Sequence, residues 1–173
     1  MAMTTIFGSL EAHTQGDAEI ISGSVKHYVF SNMFAVAAKS APYEKGVVAK
    51  NLEYVMEAIR AEGTSPWFAC SHDEFVIDMD GDVTIEFVKL NEPNAVAPRD
   101  REGTVAVSGE PAGRRMGTIE LKRGHQALLP AGAAYRFTAA RPGVLLMQTI
   151  LGPLSVQKWA DICMHPQTEG VLA

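Results

Sequence analysis

Residues 67–81, WFACSHDEFVIDMDG, decide the fold. Within them, residues 74–78 are rich in aromatic and β-branched side chains, which predicts a strand. The Asp-Gly pair that follows predicts a hairpin turn over 79–82. A second glycine-punctuated block, residues 124–135, reads GHQALLPAGAAY. Short strands separated by glycine turns are typical of an all-β sandwich or barrel.

Both blocks resemble the two signature motifs of the cupin family, whose members are small β-barrels that usually hold a metal. Glu74 and Gly81 match the glutamate, six residues and glycine that end the first family motif. The second block keeps the glycine and the Pro-x-Gly of its motif, but Tyr135 stands where the family has a ligand histidine. The resemblance implies a mainly β fold, a cupin-type jelly-roll barrel.

The two ligand histidines that the first family motif places before Glu74 are also absent. Depending on the gap chosen, their positions hold Phe68 and Cys70, or Trp67 and Ala69. One carboxylate cannot hold iron or zinc alone, because each lost ligand removes several kcal/mol from a binding free energy on the order of 10 kcal/mol. We therefore interpret Glu74 and Tyr135 as vestigial motif positions and expect no metal on this chain.

Two alternatives stay open. His72 and Glu74 are two residues apart, so they share one face of a strand, and His125 begins a neighbouring strand. These three side chains have the composition of a 2-His-1-carboxylate site, which would make the chain a stand-alone metal cupin dioxygenase. Against this, His125 directly follows a turn glycine and is expected at the barrel rim. The other alternative is a metal-free cupin that binds a small ligand.

Length and composition predict one globular domain. The chain has 173 residues, of which 47% are hydrophobic, enough for a real core. The net charge is −5 and the basic residues are scattered, which argues against a nucleic-acid partner. Two distant cysteines indicate a reducing compartment. Residues 1–10 do not resemble a signal peptide, and the longest apolar stretch, 144–151, is too short to span a membrane. We expect a soluble, cytoplasmic protein.

The first third of the chain is expected to differ from the barrel. Apolar residues at three- and four-residue steps predict a helix over 47–62, ended by Gly63. Residues 26–38 fit a strand or a helix. We therefore divide the single domain into an N-terminal extension, 1–62, whose helix lies near 50–62, and a degenerate barrel with a C-terminal helix, 63–173.

The barrel region is expected to contain a series of short strands. They are predicted over 83–90, 104–107, 118–121, 126–129, 135–139 and 144–150. A turn is predicted over 141–143, where the sequence reads Arg-Pro-Gly. Ser155 is the predicted N-cap of a C-terminal helix over 156–164. The consecutive Ser71, His72 and Asp73 cannot form a catalytic relay on a strand, because neighbouring residues face opposite sides. We predict no catalytic residue on this chain.

Longer stretches resemble the small subunit of two-component hydroquinone 1,2-dioxygenase. They are residues 51–67 (NLEYVMEAIRAEGTSPW), 72–76 (HDEFV), 123–130 (RGHQALLP) and 152–161 (GPLSVQKWAD). The resemblance covers most of the chain, from 7 to 163. That family is a heterotetramer of two small and two large subunits. Its large, cupin-type subunit carries Fe(II) and opens hydroquinone to 4-hydroxymuconic semialdehyde during the degradation of aromatic compounds.

The resemblance also implies what this chain does. It would bind no cofactor itself, stabilise the iron-bearing partner and help to form the cavity for the aromatic diol, and would be inactive alone. Trp67 and Phe68 are the candidate residues for a wall or lid of that cavity, because flat apolar faces suit an aromatic substrate. A plain core role for Trp67 is equally compatible with the sequence.

Overall fold

The computed structural model of the chain describes residues 8–14 and 32–157. Strands dominate this part of the chain, which confirms the predicted mainly β fold. The helices are α1 (Met33–Lys39) and α2 (Pro93–Val96). The strands are β1 (Lys45–Asn51), β2 (Tyr54–Thr64), β3 (Trp67–Ala69), β4 (Glu74–Asp80), β5 (Asp82–Leu90), β6 (Val105–Val107), β7 (Gly113–Lys122), β8 (Gln126–Leu129), β9 (Ala133–Ile150) and β10 (Ser155–Val156).

One long strand, β9, organises the sheet. Its first half pairs with β3 and β5, and its second half pairs with β2 and β4. The strand order β10-β1-β2-β9-β3-β6 carries two branches, β4 with β8 and β5 with β7. Because β9 bends between its halves, the sheet curls into a barrel-type shell. Its main core cluster lies inside the curl and contains Ile59, Val76, Ile85, Tyr135, Phe137 and Met147 among others.

The bend lies where the sequence predicts a turn over 141–143, and that prediction is wrong. The strand runs through these residues, and its pairing with β2 shifts register between Ala61 and Gly63. Gly143 allows the close approach of the two bent strands, because a Cβ atom there would lie 2.3 Å from the carbonyl oxygen of Asp80. The residues at 140–142 are exposed, and the strand resumes its pairing on either side of them.

The hairpin predicted over 79–82 is also wrong. Gly81 has the positive φ of 95° expected of a turn glycine, but β4 and β5 do not pair with each other. Both instead pair with β9, one on each side of its bend. Gly81 is therefore a corner at which the chain passes from one half of the shell to the other, which is a common use of glycine in curved sheets.

The helix predicted over 47–62 is wrong, because these residues form β1, a two-residue turn and most of β2. The apolar spacing misled because β2 is buried on both faces. Ile59 faces the barrel core, while Ala58 packs under α1 on the outer face. Residues buried on alternate faces give a run that fits a helical period as well as a strand. Leu52, which lies inside the predicted helix, is at the tip of the turn with φ +57°.

The N-terminal extension does contain a helix, within the segment that the sequence left undecided. Helix α1 begins after Asn32, whose side chain accepts hydrogen bonds from the backbone N–H groups of Phe34 and Ala35. It packs Phe34 and Val36 against the outer face of the sheet. The division at 62/63 falls inside β2, so β1 and β2 belong to the same sheet as the barrel strands.

At the C-terminal end, Ser155 and Val156 form β10, which runs parallel to β1, so Ser155 does not cap a helix. The rest of the helix predicted over 156–164 lies outside the described residues, apart from Gln157. In the part of the chain that the structure describes, no helix is long and apolar enough to cross a membrane.

Candidate functional site

The carboxylate of Glu74 is the centre of the site inside the barrel. Glu74 is the first residue of β4, and its side chain is fully buried. Three hydroxyl groups donate hydrogen bonds to it: Thr104 Oγ1 and Thr149 Oγ1 to Oε1, at 2.5 and 2.6 Å, and Tyr135 OH to Oε2, at 2.5 Å. A buried carboxylate needs such donors, because its desolvation is otherwise very costly.

Two of the three donors come from the same strand. Tyr135 lies on the first half of β9 and Thr149 on its second half, so the bend of the strand brings both side chains to Glu74. Thr104 lies immediately before β6 and reaches the same carboxylate from the third side. Burial, and then the charge of Glu74, raise the pKa of the Tyr135 phenol well above its usual value. The phenol is therefore a donor at physiological pH.

Cys70 and His72 lie next to this centre. Ligand atoms of Cys70, His72 and Glu74 all lie within 4.8 Å of one another. The Cys70 thiol donates to the carbonyl of Gly103 at 3.3 Å and lies 3.2 Å from Nδ1 of His72. A tautomer with the proton on Nδ1 lets Nε2 of His72 accept the backbone N–H of Ile150 at 3.3 Å. Burial is the larger cause and the charge of Glu74 the second; together they raise the pKa of the Cys70 thiol to about 12.

The structure shows which of the two possible pairs of ligand positions before Glu74 faces the barrel interior. Phe68 and Cys70 point inward, and the Phe68 ring lies 5.9 Å from that of Tyr135. Trp67 and Ala69 point outward, into a second core cluster. The four positions where a cupin places its ligands therefore hold phenylalanine, cysteine, glutamate and tyrosine.

An Fe(II) centre of the 2-His-1-carboxylate type does not fit these side chains. Among the described residues, only His72 brings an imidazole to Glu74. Both oxygens of Glu74 already accept hydroxyl hydrogen bonds, so an ion bound there would displace at least one of them. The Cys70–His72–Glu74 cluster resembles the mixed thiolate, imidazole and carboxylate sets that zinc accepts more closely than the set that non-haem iron uses.

His125 does not join this cluster. It lies exposed in the turn between β7 and β8, where its Nδ1 accepts the backbone N–H of Lys122 at 3.2 Å. Its carbonyl oxygen accepts the N–H of Asp78, which is four residues from Glu74 along β4. The set His72, Glu74 and His125 is thus not assembled. His13 is not part of the cluster and stacks on Phe34, and His27 and His165 lie outside the described residues.

Trp67 and Phe68, the candidate cavity residues, lie on opposite sides of β3. Trp67 is only 6% exposed, its Nε1 donates to Glu110 at 3.2 Å, and the guanidinium of Arg136 covers its ring at 4.4 Å. Phe68 is 4% exposed and packs in the main core. Neither ring is presented to solvent in the isolated chain.

A buried ion pair near Phe68 was missed by the sequence reasoning. The ammonium of Lys45 lies 3.8 Å from Glu57 Oε2 and 4.8 Å above the Phe68 ring, and both charged side chains are almost fully buried. Ser155 Oγ donates to Glu57 Oε1 at 2.5 Å, while Oε2 has no hydrogen-bond partner. Burial raises the pKa of Glu57 against the opposing effect of Lys45. The sequence predicts a helix over 47–62, in which Glu57 has no assigned inward position, whereas on β2 its side chain is buried.

Thr104 and Thr149 were also missed. The signal for Thr149 was its register, because in 144–150 it follows the inward positions of Leu145 and Met147 and is the one polar residue among them. A polar side chain at a core-facing position usually has a buried partner. Thr104 carried no comparable signal, because it lies in a loop whose path the sequence did not predict.

Comparison with solved structures finds two close relatives. A chain of hydroquinone 1,2-dioxygenase PnpCD, solved in complex with Cd2+ and 4-hydroxybenzonitrile, is 57% identical and has a TM-score of 0.86. The match covers 95% of this chain and 98% of that one. A chain of hydroquinone 1,2-dioxygenase from Sphingomonas sp. TTNP3, with 4-hydroxybenzoate bound, is 52% identical, with 94% and 98% covered and a TM-score of 0.87.

A further match shares only the fold. It is a chain of hydroquinone 1,2-dioxygenase PnpCD in complex with Fe3+, 13% identical, with a TM-score of 0.60. The match covers 83% of this chain but 40% of that one, so the second chain is considerably longer. No protein-family model and no curated protein matches the sequence.

Proposed function

This chain belongs to the hydroquinone 1,2-dioxygenase family, and from that premise we propose that it is the small subunit of such an enzyme and binds no metal itself. Its partner is a larger cupin-type chain that carries Fe(II), in an assembly of two small and two large subunits. The assembly opens hydroquinone to 4-hydroxymuconic semialdehyde. The small subunit stabilises its partner and supports the cavity in which the aromatic diol binds.

The observation that carries this proposal is the hydroxyl-capped carboxylate of Glu74. In a metal-binding cupin this glutamate needs a free oxygen directed at the ion. Here Tyr135, Thr104 and Thr149 occupy both oxygens with short hydrogen bonds. The iron that ring opening requires would be held by the partner, where it would bind and activate dioxygen. In this chain, the hydrogen bonds to Glu74 connect the strands of the barrel.

The two chain lengths in the related enzyme also support the proposal. One chain of PnpCD matches this protein over 98% of its length, whereas another shares its fold over only 40%. This protein corresponds in length to the shorter of the two.

The buried positions of Trp67 and Phe68 bear on their role. Both rings are covered by this chain's own side chains, so we propose that they support the cavity from behind and do not form its wall. Trp67 holds the Arg136 and Glu110 side chains on the outer surface of the sheet.

Metal analysis of the assembled enzyme tests the proposal. The chain is co-expressed with the longer chain from the same organism, and iron is measured by mass spectrometry alongside oxygen uptake with hydroquinone. We expect one iron per pair of chains, and none bound stoichiometrically by the small chain purified alone. The small chain alone should consume no oxygen after iron is added. A stand-alone chain that turns over hydroquinone with iron would refute the proposal.

The Cys70–His72–Glu74 cluster favours a second candidate, a metal cupin that acts through its own ion. The double substitution Cys70→Ser and His72→Asn separates the two functions. It should leave the iron content of the assembled enzyme unchanged if the partner holds the metal. It should remove one metal per chain if this cluster holds it. His125→Asn, which alters an exposed imidazole outside the cluster, is the matched control.

A further inference from the structure

We propose that the outer apolar face of the barrel is the docking surface for the larger subunit. The inference rests on the proposed function and deepens it by naming the surface. The face lies on the outside of four adjacent strands in the order β2, β9, β4 and β8. The residues that we call the outer apolar face are Tyr54, Met56, Phe75, Ile77, Leu128 and Ile150, and Leu52 adjoins Tyr54 in the turn between β1 and β2.

The strand register places these side chains on one side of the sheet. Met56 pairs with Gln148, Gln148 with Phe75, and Phe75 with Leu128, which makes one continuous row across the four strands. Directly paired residues on neighbouring strands point to the same face. Met147, the neighbour of Gln148 along β9, faces the opposite side of the sheet and is buried in the barrel core. The row of Phe75 therefore points outward, and it contains no charged side chain.

Large apolar side chains are exposed on this face and in the adjoining turn. Leu52 is 77% exposed, Tyr54 53%, Phe75 51% and Leu128 46%. Together they present an apolar area on the order of half of the ~800 Å² that each partner contributes to a standard interface. Soluble monomers rarely expose contiguous apolar patches much larger than this, and aromatic residues near the centre of such a patch are typical binding hot spots.

One end of the same sheet face is covered by the chain itself. Helix α1 packs Val36 and Phe34 onto Ala58 and Val144, which are buried as a result. Met56 lies at the border, partly buried against this cluster. The outer apolar face thus continues a surface that is already an internal interface. Its side chains are apolar like those beneath α1, although no described residue covers them.

The shape of the face indicates the kind of partner. It is the outside of a sheet four strands wide, whereas small molecules bind in concave sites. Faces of this kind pack against another protein layer about 10 Å away. Strand β8 adds an edge, because it pairs only with β4 among the described strands. A large folded chain that supplies its own apolar layer meets these requirements, and the longer chain of the proposed enzyme is such a partner.

Charge substitutions on the face test the inference. Phe75→Glu and Leu128→Glu place a carboxylate in the row without touching the barrel core. The matched control is Met116→Glu on β7, which is equally exposed at 51% but lies outside the face. Binding to the longer chain from the same organism is measured by sedimentation velocity and by titration of labelled protein. We expect Phe75→Glu and Leu128→Glu each to weaken binding about 100-fold or more, the effect of losing a hot spot, and Met116→Glu to change it less than threefold.

The outcomes separate the surface from the function. If the wild-type chain binds the longer chain and all three variants bind equally well, the surface is wrong and the proposed function stands. If the wild-type chain does not bind, the proposed function itself fails. If Phe75→Glu dissociates a dimer of this chain but leaves binding to the longer chain intact, the face joins two copies and the proposal is overturned. It is also overturned if Phe75→Glu lowers the melting temperature of the isolated chain and increases hydrogen exchange in residues 15–31, because the chain then covers its own face.

Discussion

The hydroxyl of Tyr135 donates to the carboxylate of Glu74 at 2.5 Å, so a phenol fills the position at which a cupin motif has an imidazole ligand. The phenol does not offer the imidazole nitrogen of the motif, and its hydroxyl supplies one of the three hydrogen bonds that the buried Glu74 carboxylate accepts. Tyrosine at this position therefore stabilises the buried carboxylate.

Replacing Tyr135 with phenylalanine should destabilise the chain by about 1–3 kcal/mol, because Glu74 Oε2 is left buried without a donor. Urea denaturation measures the free energy of unfolding. Tyr43→Phe is the matched control, because its hydroxyl donates at 2.7 Å to the neutral carbonyl of Gly63. The control should cost about 1 kcal/mol or less. Equal losses for the two variants would contradict a special role for the Glu74 hydrogen bond.

Asp78 should make stability depend on pH. Its side chain is buried without a side-chain hydrogen-bond partner, and burial, opposed in part by the backbone N–H of Asp80, raises its pKa to about 7. Between about pH 4 and 7 the folded chain holds a proton that the unfolded chain has lost, so this group makes stability fall as pH rises through that window. Asp78→Asn should abolish this component, and the variant should gain most over the wild type above pH 7.

Thermal unfolding at several pH values compares the two proteins. Asp80→Asn is the control, because its carboxylate is partly exposed and paired with Arg123. Parallel stability curves for the wild type and Asp78→Asn between pH 4 and 8 would show that Asp78 does not titrate in this range.

Breaking the buried ion pair should be costly. Lys45→Met leaves the Glu57 carboxylate buried without its counter-charge, and we expect a loss of about 3–5 kcal/mol. The double variant Lys45→Met and Glu57→Gln should recover part of that loss, because no unpaired charge remains. Denaturant unfolding of the two single variants and the double variant measures the coupling. A double variant less stable than Lys45→Met alone would contradict this account.

The bend of β9 should not tolerate a side chain at Gly143. Its Cβ would lie 2.3 Å from the carbonyl oxygen of Asp80, so Gly143→Ala must push the two bent strands apart. We expect a large fall in melting temperature or an insoluble chain. Gly109→Ala is the control, because no atom lies within 4 Å of the corresponding Cβ, although φ is +71° there. Similar melting temperatures for both variants would mean that the close approach at the bend is not needed.

Trp67→Ala should separate a supporting role from a direct one. The indole is almost fully buried, so its removal should destabilise the chain by about 3–5 kcal/mol. In the assembled enzyme at low temperature, we expect the KM for hydroquinone to change less than twofold. Steady-state oxygen uptake gives this value. A KM raised tenfold in an intact assembly would make Trp67 a wall of the cavity.

The sequence predicted those parts of the fold that local signals determine. Residues 126–129 form a strand with the predicted bounds, because two glycine turns enclose it. Glu74 and Tyr135 meet as the motif spacing required. The turns predicted at 79–82 and 141–143 were wrong because Gly81 is a corner between β4 and β5, which both pair with β9, and because the Arg-Pro-Gly run lies in the bend of the continuous strand β9. Glycine and proline occur both in such bends and in ordinary turns, so the local sequence does not distinguish the two.

Other features depend on contacts between distant residues and had no local signal. Thr104 reaches Glu74 from thirty positions away, and Lys45 meets Glu57 only because β1 and β2 form a hairpin. The helical spacing over 47–62 arose because α1 covers the outer face of β2, so a tertiary contact produced the misleading pattern. Periodicity reports burial, and it cannot tell which neighbour causes it.

Glu74 ties both arms of β9 together through Tyr135 and Thr149, which restricts movement of one arm against the other at the bend. A chain that approaches from outside meets a surface whose curvature is already set. Its association should therefore be fast and single-exponential, with a rate that depends on collision and orientation and shows no slow rearrangement step.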